Sequence, residues 1–173
     1  MYVLDFLRSQ GVWFEPLLHR PVSSSAKRAG SVHVPGRRVA KAVLIKAGDS
    51  FLLVVLPSTS QIDLMRLSEV VGAPPAQVRL GTPDELNELF PDCEPGVVPP
   101  FGRLYGLTTL VDSKLADSTE IILGANTRHE GLRMLFHDFQ RLEEPIRASF
   151  TRALAPEPEP PNLSRAGRNR RAG

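Results

Sequence analysis

Two apolar runs, RVAKAVLIK at 38–46 and FLLVVL at 51–56, are separated only by AGDS, and that pairing limits the folds open to the chain. Each run has the length of a β-strand. The link contains Gly48 and Asp49, residues suited to a tight turn, so a hairpin is expected. Under the two-residue period of a strand, Lys41 shares a face with Val39, Val43 and Ile45, while Ala40, Ala42 and Leu44 form the other. An unpaired ammonium inside such a run is costly. Three placements relieve it. Lys41 could lie on an edge strand and turn to solvent, pair with a buried carboxylate, or line a cavity that receives an anion or a polar substrate.

The rest of the chain alternates irregularly between helix and strand signals. Val3, Leu4, Phe6 and Leu7 predict a short amphipathic helix within 1–12, stopped by Gly11. FEPLLHRP reads as extended because each proline biases its predecessor away from helix. Ser23, Ser24 and Ser25 offer N-caps for a helix to about Ala29. Ile62, Leu64, Leu67, Val70 and Val71 recur at helical spacing up to Gly72. A short strand is predicted at 77–80. A helix should start at Thr82-Pro83-Asp84-Glu85 and end near Phe90. Strands follow at about 104–111 and 119–124. HEGLRMLFHDFQRL supports a helix, although its first part reads equally as a strand. The expected class is α+β with a mixed sheet, in one domain over 1–154. The Pro- and Arg-rich segment 155–173 is expected to be a disordered tail.

Composition narrows the function. Apolar residues make up 42% and charged residues 23%, which permits a packed core. No apolar run approaches the roughly 18 residues of a membrane span. The start, MYVLDFLRSQ, lacks the basic and long apolar regions of a signal peptide, so a cytoplasmic protein is expected. Cys93 is the only cysteine, which excludes a disulfide framework and a cysteine-rich zinc site. The net charge of +2 is arranged in blocks: +5 over 1–50, −5 over 51–154 and +2 over 155–173. A polyanion would meet the first block, which contains Lys27, Arg28, Arg37, Arg38, Lys41 and Lys46.

The common catalytic signatures are missing: no P-loop, no G-x-G-x-x-G and no G-x-S-x-G. The four histidines show no metal-ligand spacing. Cys93 stands between Asp92 and Glu94, which would raise its pKa and blunt it as a nucleophile. The segment PDCEPGVVPPFG, 91–102, is a stronger candidate. Its four prolines fix a shape, and its two glycines let backbone approach a ligand. Amides exposed by such a loop can stabilise a carbonyl oxygen as it gains negative charge.

Four segments in this order carry a resemblance: R-V-A-K-A-V at 38–43, I-D-L-x-x-L at 62–67, F-P-D-C-E-P-G-V-V-P-P-F-G at 90–102, and L-R-M at 132–134. From about Phe14 to Pro145 the chain resembles the YbaK family, the freestanding relatives of the editing domain inserted in bacterial prolyl-tRNA synthetases. The resemblance implies a mixed sheet, partly closed as a barrel, with helices around it. It also implies hydrolysis of the ester of a mischarged aminoacyl-tRNA without metal or other cofactor. The family lysine falls on Lys41, which would meet either the terminal adenosine phosphate or the aminoacyl carbonyl. The family G-x-x-x-P loop falls on Gly96 to Pro100, with Gly102 just beyond. No strong general base is visible. Water activation would fall to the 2′- or 3′-hydroxyl of the substrate or to a water held by the loop, with positioning as the main source of rate.

The third segment departs from the family pattern. Relatives read G-T-H-x-E-A-I-R-M, whereas this chain has N-T-R-H-E-G-L-R-M. Asn126 stands at the usual glycine, Arg128 at the usual histidine, and His129 one place late. A one-residue slip in a strand reverses the face of a side chain. Asn126, Thr127 and His129 are therefore candidates for the pocket, with Arg128 as the alternative holder of the histidine role. Ser24 and Ser25, followed by Lys27 and Arg28, are candidates for the pocket mouth where the acceptor end of aminoacyl-tRNA would enter. A transient association with an aminoacyl-tRNA synthetase is the further partner expected. The rival reading is a non-catalytic module that senses aminoacyl-tRNA or a nucleotide in the same pocket; a third is a small-molecule hydrolase unrelated to tRNA.

Overall fold

A computed structural model describes residues 2–18 and 35–154. The expected hairpin forms its centre. Strands β2 (Ala40–Ala47) and β3 (Ser50–Pro57) pair antiparallel from Ala40–Pro57 to Ala47–Ser50. Their two-residue turn is made possible by Gly48 at φ 59°, a conformation that glycine adopts without Cβ strain. β5 (Val78–Leu80) adds antiparallel to the far side of β2. β6 (Thr108–Asp112) and β9 (Ile146–Ala148) extend the sheet in parallel beyond β3. The five strands run β5-β2-β3-β6-β9.

A second sheet of three antiparallel strands has the order β1-β8-β7, built from β1 (Phe14–Leu18), β7 (Glu120–Gly124) and β8 (Glu130–Leu135). β4 (Ser60–Ile62) and β10 (Thr151–Ala153) form a separate pair. One parallel bridge, Val39 to Ile122, joins the two larger sheets. The sheet is thus mixed and the class α+β, as expected. The three sheets do not close on one another, so the partly closed barrel describes them only loosely.

Each face of the five-stranded sheet has its own core. Ala40, Leu44, Leu53 and Val55 pack with α1 (Val3–Ser9), α4 (Ser113–Ala116), α5 (Phe136–Glu143) and the inner face of the second sheet. Fully buried Phe101 and Phe139 lie edge to face in this cluster. Ile45, Val54 and Leu56 face the other way, onto Leu67 of α2 (Leu64–Val71) and onto Phe150. The pleat gives Lys41 this second face, beside Val43 and Ile45 and opposite Leu56.

Three expectations need correction. Ile62 belongs to β4, and the helix begins only at Leu64 because the Asp63 carboxylate caps it, accepting from the Met65 and Arg66 amides at 3.1 and 3.2 Å. The strand expected from 104 starts at Thr108, since Gly102–Tyr105 winds into a 3-10 turn that Gly106, at φ 68°, brings to an end. HEGLRMLFHDFQRL is both strand and helix, with β8 passing into α5 between Leu135 and Phe136. The helix at Ser23–Ala29 and the tail 155–173 fall outside the described residues. Elsewhere α3 (Pro83–Leu89) has the anticipated start, with Thr82 and Glu85 forming a reciprocal capping box.

Candidate active site

The loop 91–102 begins where α3 ends. Its tightest part is the turn Glu94–Val97, closed by the Val97 amide donating to the Glu94 carbonyl at 2.9 Å. Proline at the second position and glycine at the third, with Gly96 at φ 79°, make it a type II turn. Pro99 and Pro100 are buried behind it, and Val98 packs against the first core. Among the described residues, the amides of Gly96 and Val98 have no acceptor.

The turn between β7 and β8 clamps this loop. The Glu94 amide donates to the Asn126 carbonyl at 2.9 Å, and the Arg128 amide donates to the Glu94 carboxylate at 2.7 Å. The Arg128 guanidinium donates to the Pro95 carbonyl at 2.6 Å. Asn126 is 1% exposed. Its Oδ1 accepts from the Val3 amide at 2.8 Å, and its Nδ2 reaches Cys93 Sγ at 3.3 Å and the Tyr105 hydroxyl at 3.4 Å. Asn126 therefore ties α1 to the loop from within. Thr127 donates to Glu130 at 3.0 Å and accepts from the His129 amide at 3.4 Å, holding the turn itself. His129 is exposed.

The loop's C-terminal end is held from the opposite side. Gly102 is buried, and a Cβ there would stand against Thr109 Oγ1 and 3.0 Å from the Leu107 carbonyl oxygen. Only glycine fits this approach. Glu143 Oε2 accepts from Thr109 Oγ1 at 2.8 Å and from the Arg103 amide at 3.3 Å, and the Gly102 amide also donates to this carboxylate. Nothing in the sequence flags Glu143, which reads there as one of two acids at a helix end.

Lys41 lies on β2, on the face turned to the second core. The Val39–Ile122 bridge sets β2 and β7 running in the same direction. The bridge falls two residues before Lys41 on β2 and two before Gly124, the end of β7, which leads into the Asn126–His129 turn. At that level β2 pairs with β3 through Lys41 and Leu56, while β5 joins it only from Ile45 to Ala47. Lys41 is half-buried, and burial lowers its pKa from the ordinary value. No carboxylate among the described residues pairs with it. The ion-pair placement loses its support among the described residues. Cys93 is likewise half-buried, and burial, reinforced by Asp92, pushes its thiol up, which disfavours the thiolate a nucleophile requires.

Lys41, Gly96, Pro100, Gly102, Asn126, Thr127 and His129 thus all have defined places, and the two segments at 91–102 and 126–129 are bonded together. Ser24 and Ser25 lie outside the described residues.

Solved structures share this architecture. The crystal structure of a hypothetical protein superposes with a TM-score of 0.75 at 20% identity, covering 87% of this chain and 99% of the other. A candidate trans-editing enzyme for prolyl tRNA synthetase does so with a TM-score of 0.72 at 22% identity, covering 87% and 95%. The class is that of small α+β domains with this fold. The chain belongs to the aminoacyl-tRNA editing domain family, whose model matches residues 19–142. It is also 29% identical over 100 residues to the proline–tRNA ligase of Lactobacillus johnsonii, matching 58% of this chain and only 17% of the ligase's length. The YbaK-type resemblance read from the motifs therefore holds. Among the described residues no helix is long and apolar enough to cross a membrane.

Proposed function

We propose that this chain is an aminoacyl-tRNA deacylase acting in trans, which hydrolyses the ester of a mischarged tRNA. Water adds to the aminoacyl carbonyl carbon, the bond to the ribose oxygen breaks, and free amino acid leaves a tRNA with its hydroxyl restored. The observation that carries the reading is the half-buried ammonium of Lys41, without a carboxylate partner among the described residues, two residues beyond the bridge that joins β2 to β7, the strand leading into the turn that clamps the Gly96 loop. A cation so placed suits the phosphate of the terminal adenosine or the ester carbonyl. The amides of the Gly96–Gly102 loop suit the oxyanion that forms when water attacks. No side chain in this set is a strong base, so the neighbouring 2′- or 3′-hydroxyl of the substrate or a loop-held water takes that role, and rate comes from positioning.

Small amino acids such as alanine or cysteine, with proline tRNA as carrier, are the proposed substrates, and the likeness to a proline–tRNA ligase supports that choice. A transient complex with a synthetase would supply the substrate. The test is deacylation of tRNAs charged with Ala, Cys, Ser, Thr and Pro, by wild type and by Lys41→Ala. Turnover of one non-cognate ester, lost in the variant, is the expected result. Binding of tRNA without turnover of any ester would replace the enzyme with a sensing module.

A further inference from the structure

Asp112 and Glu143 are the two buried acids described, and only Glu143 has a carboxylate oxygen without a hydrogen-bond partner. Glu143 is 2% exposed and faces no close cation within hydrogen-bonding range. Oε2 accepts from the Thr109 hydroxyl and the Arg103 amide, while Oε1 has no hydrogen-bond partner. The donors converge on one stretch of backbone: Gly102 and Arg103 end the loop, and Thr109 is the residue against which Gly102 packs. An open groove of about 380 Å³, lined by Arg103, Thr108, Thr109 and Glu144 among others, runs past it.

We infer that Glu143 is a positioning residue whose ionised carboxylate fixes the Gly102 end of the loop, and whose protonation loosens the loop and makes deacylation pH-dependent. This rests on the deacylase reading for its consequence, though not for its structural part. A carboxylate is a stronger acceptor for three donors than the neutral acid. The ionisable groups facing it are few. Arg103, from the 3-10 turn, points its guanidinium to the Leu142 carbonyl at 3.2 Å and to Glu144 at 2.9 Å. Glu144 follows in the chain, and β6 presents only Thr108 and Thr109 to the groove. Burial raises the Glu143 pKa above its ordinary 4.5, with the Thr109 hydroxyl and the Arg103 and Gly102 amides acting against it. The change of charge therefore falls nearer neutrality than for a surface glutamate.

The experiment is a pH titration of the amide signals of Gly102 and Arg103 in the full chain by NMR, beside the pH profile of deacylation. Both amides should shift together, with a midpoint above 4.5 that matches the acid limb of kcat. Glu143→Gln should abolish the amide titration and flatten that limb. It should lower kcat about tenfold, the worth of one charge-assisted hydrogen bond, with KM little changed. Thr109→Val, which removes one donor and no charge, should move the midpoint up. Amides that do not titrate, or an acid limb unchanged in Glu143→Gln, would overturn the inference while leaving the deacylase reading intact. Amides that titrate in a protein without ester turnover would uphold the grip on the loop and remove the deacylase reading instead.

Discussion

The Arg128 guanidinium donates to the Pro95 carbonyl at 2.6 Å and lies 3.6 Å from where a Cβ on Gly96 would stand. The residue at the usual histidine position of the family thus braces the turn rather than leaving it free. Arg128 is exposed, so Arg128→Ala should change stability by less than ~0.5 kcal/mol. Loss of a hydrogen bond from a charged donor should nevertheless lower kcat about tenfold through a looser loop. Steady-state deacylation beside thermal unfolding separates the two. A large drop in Tm would make Arg128 a stability residue only.

Gly96 should tolerate no side chain for conformational reasons, since its neighbourhood has room. At φ 79° an L-residue costs roughly 1–2 kcal/mol. Gly96→Ala should therefore flip or open the Glu94–Val97 turn, with kcat falling more than KM changes. Full activity in Gly96→Ala would exclude the turn from the chemistry.

For Lys41, fold and function should pull apart. Lys41→Met keeps the length of the stem and removes an ammonium that burial disfavours. Tm should hold or rise, while deacylation falls at least ~100-fold if the ammonium meets developing charge. An unfolded variant would instead mean that the lysine has a structural partner.

Glu85 and Glu143 should affect stability with opposite signs. The Arg79 guanidinium grips Glu85 through both carboxylate oxygens, at 2.7 and 2.8 Å. Together with the Thr82 amide it holds the Glu85 pKa at about 2. Its stabilisation is complete above the ordinary 4.5 and fades as pH falls through about 2, so Glu85→Gln should lose stability at pH 7 and much less near pH 2. The raised pKa of Glu143 works the other way. Its contribution is complete below 4.5 and disappears as pH rises through the folded value. Glu143→Gln should therefore be more stable than wild type at pH 7, with the gap closing toward pH 4. Thermal unfolding of both variants across that range checks each sign.

Much of this was legible in local pattern. The hairpin follows from its two apolar runs and turn, and the Gly96 loop from its prolines and glycines. Asp63 shows where pattern stops short. Apolar spacing pulled Ile62 into a helix that a capping carboxylate starts two residues later. The 3-10 turn at Gly102–Tyr105 was hidden because its cause is tertiary: Gly102 lies against Thr109, and its amide is taken by a glutamate 41 positions away in sequence. Glu143 and Tyr105 were invisible for the same reason. Burial and partner choice at such positions depend on elements distant in sequence.

Asn126 offers the sharpest test of how the site is built. Its amide side chain links the first helix, the loop and the aromatic Tyr105. Asn126→Ala would leave the Val3 amide buried without an acceptor, at a cost of ~1–3 kcal/mol. Asn126→Gly adds backbone freedom at the turn that clamps Glu94. Both variants should lower the urea midpoint and raise hydrogen exchange at Val3. If the loop depends on this tie, exchange at Glu94 and Val97 should rise with it, and deacylation should fall in proportion. Faster exchange at Val3 with Glu94 and Val97 unchanged would show that Asn126 serves the helix alone, leaving Arg128 and Glu143 to hold the loop.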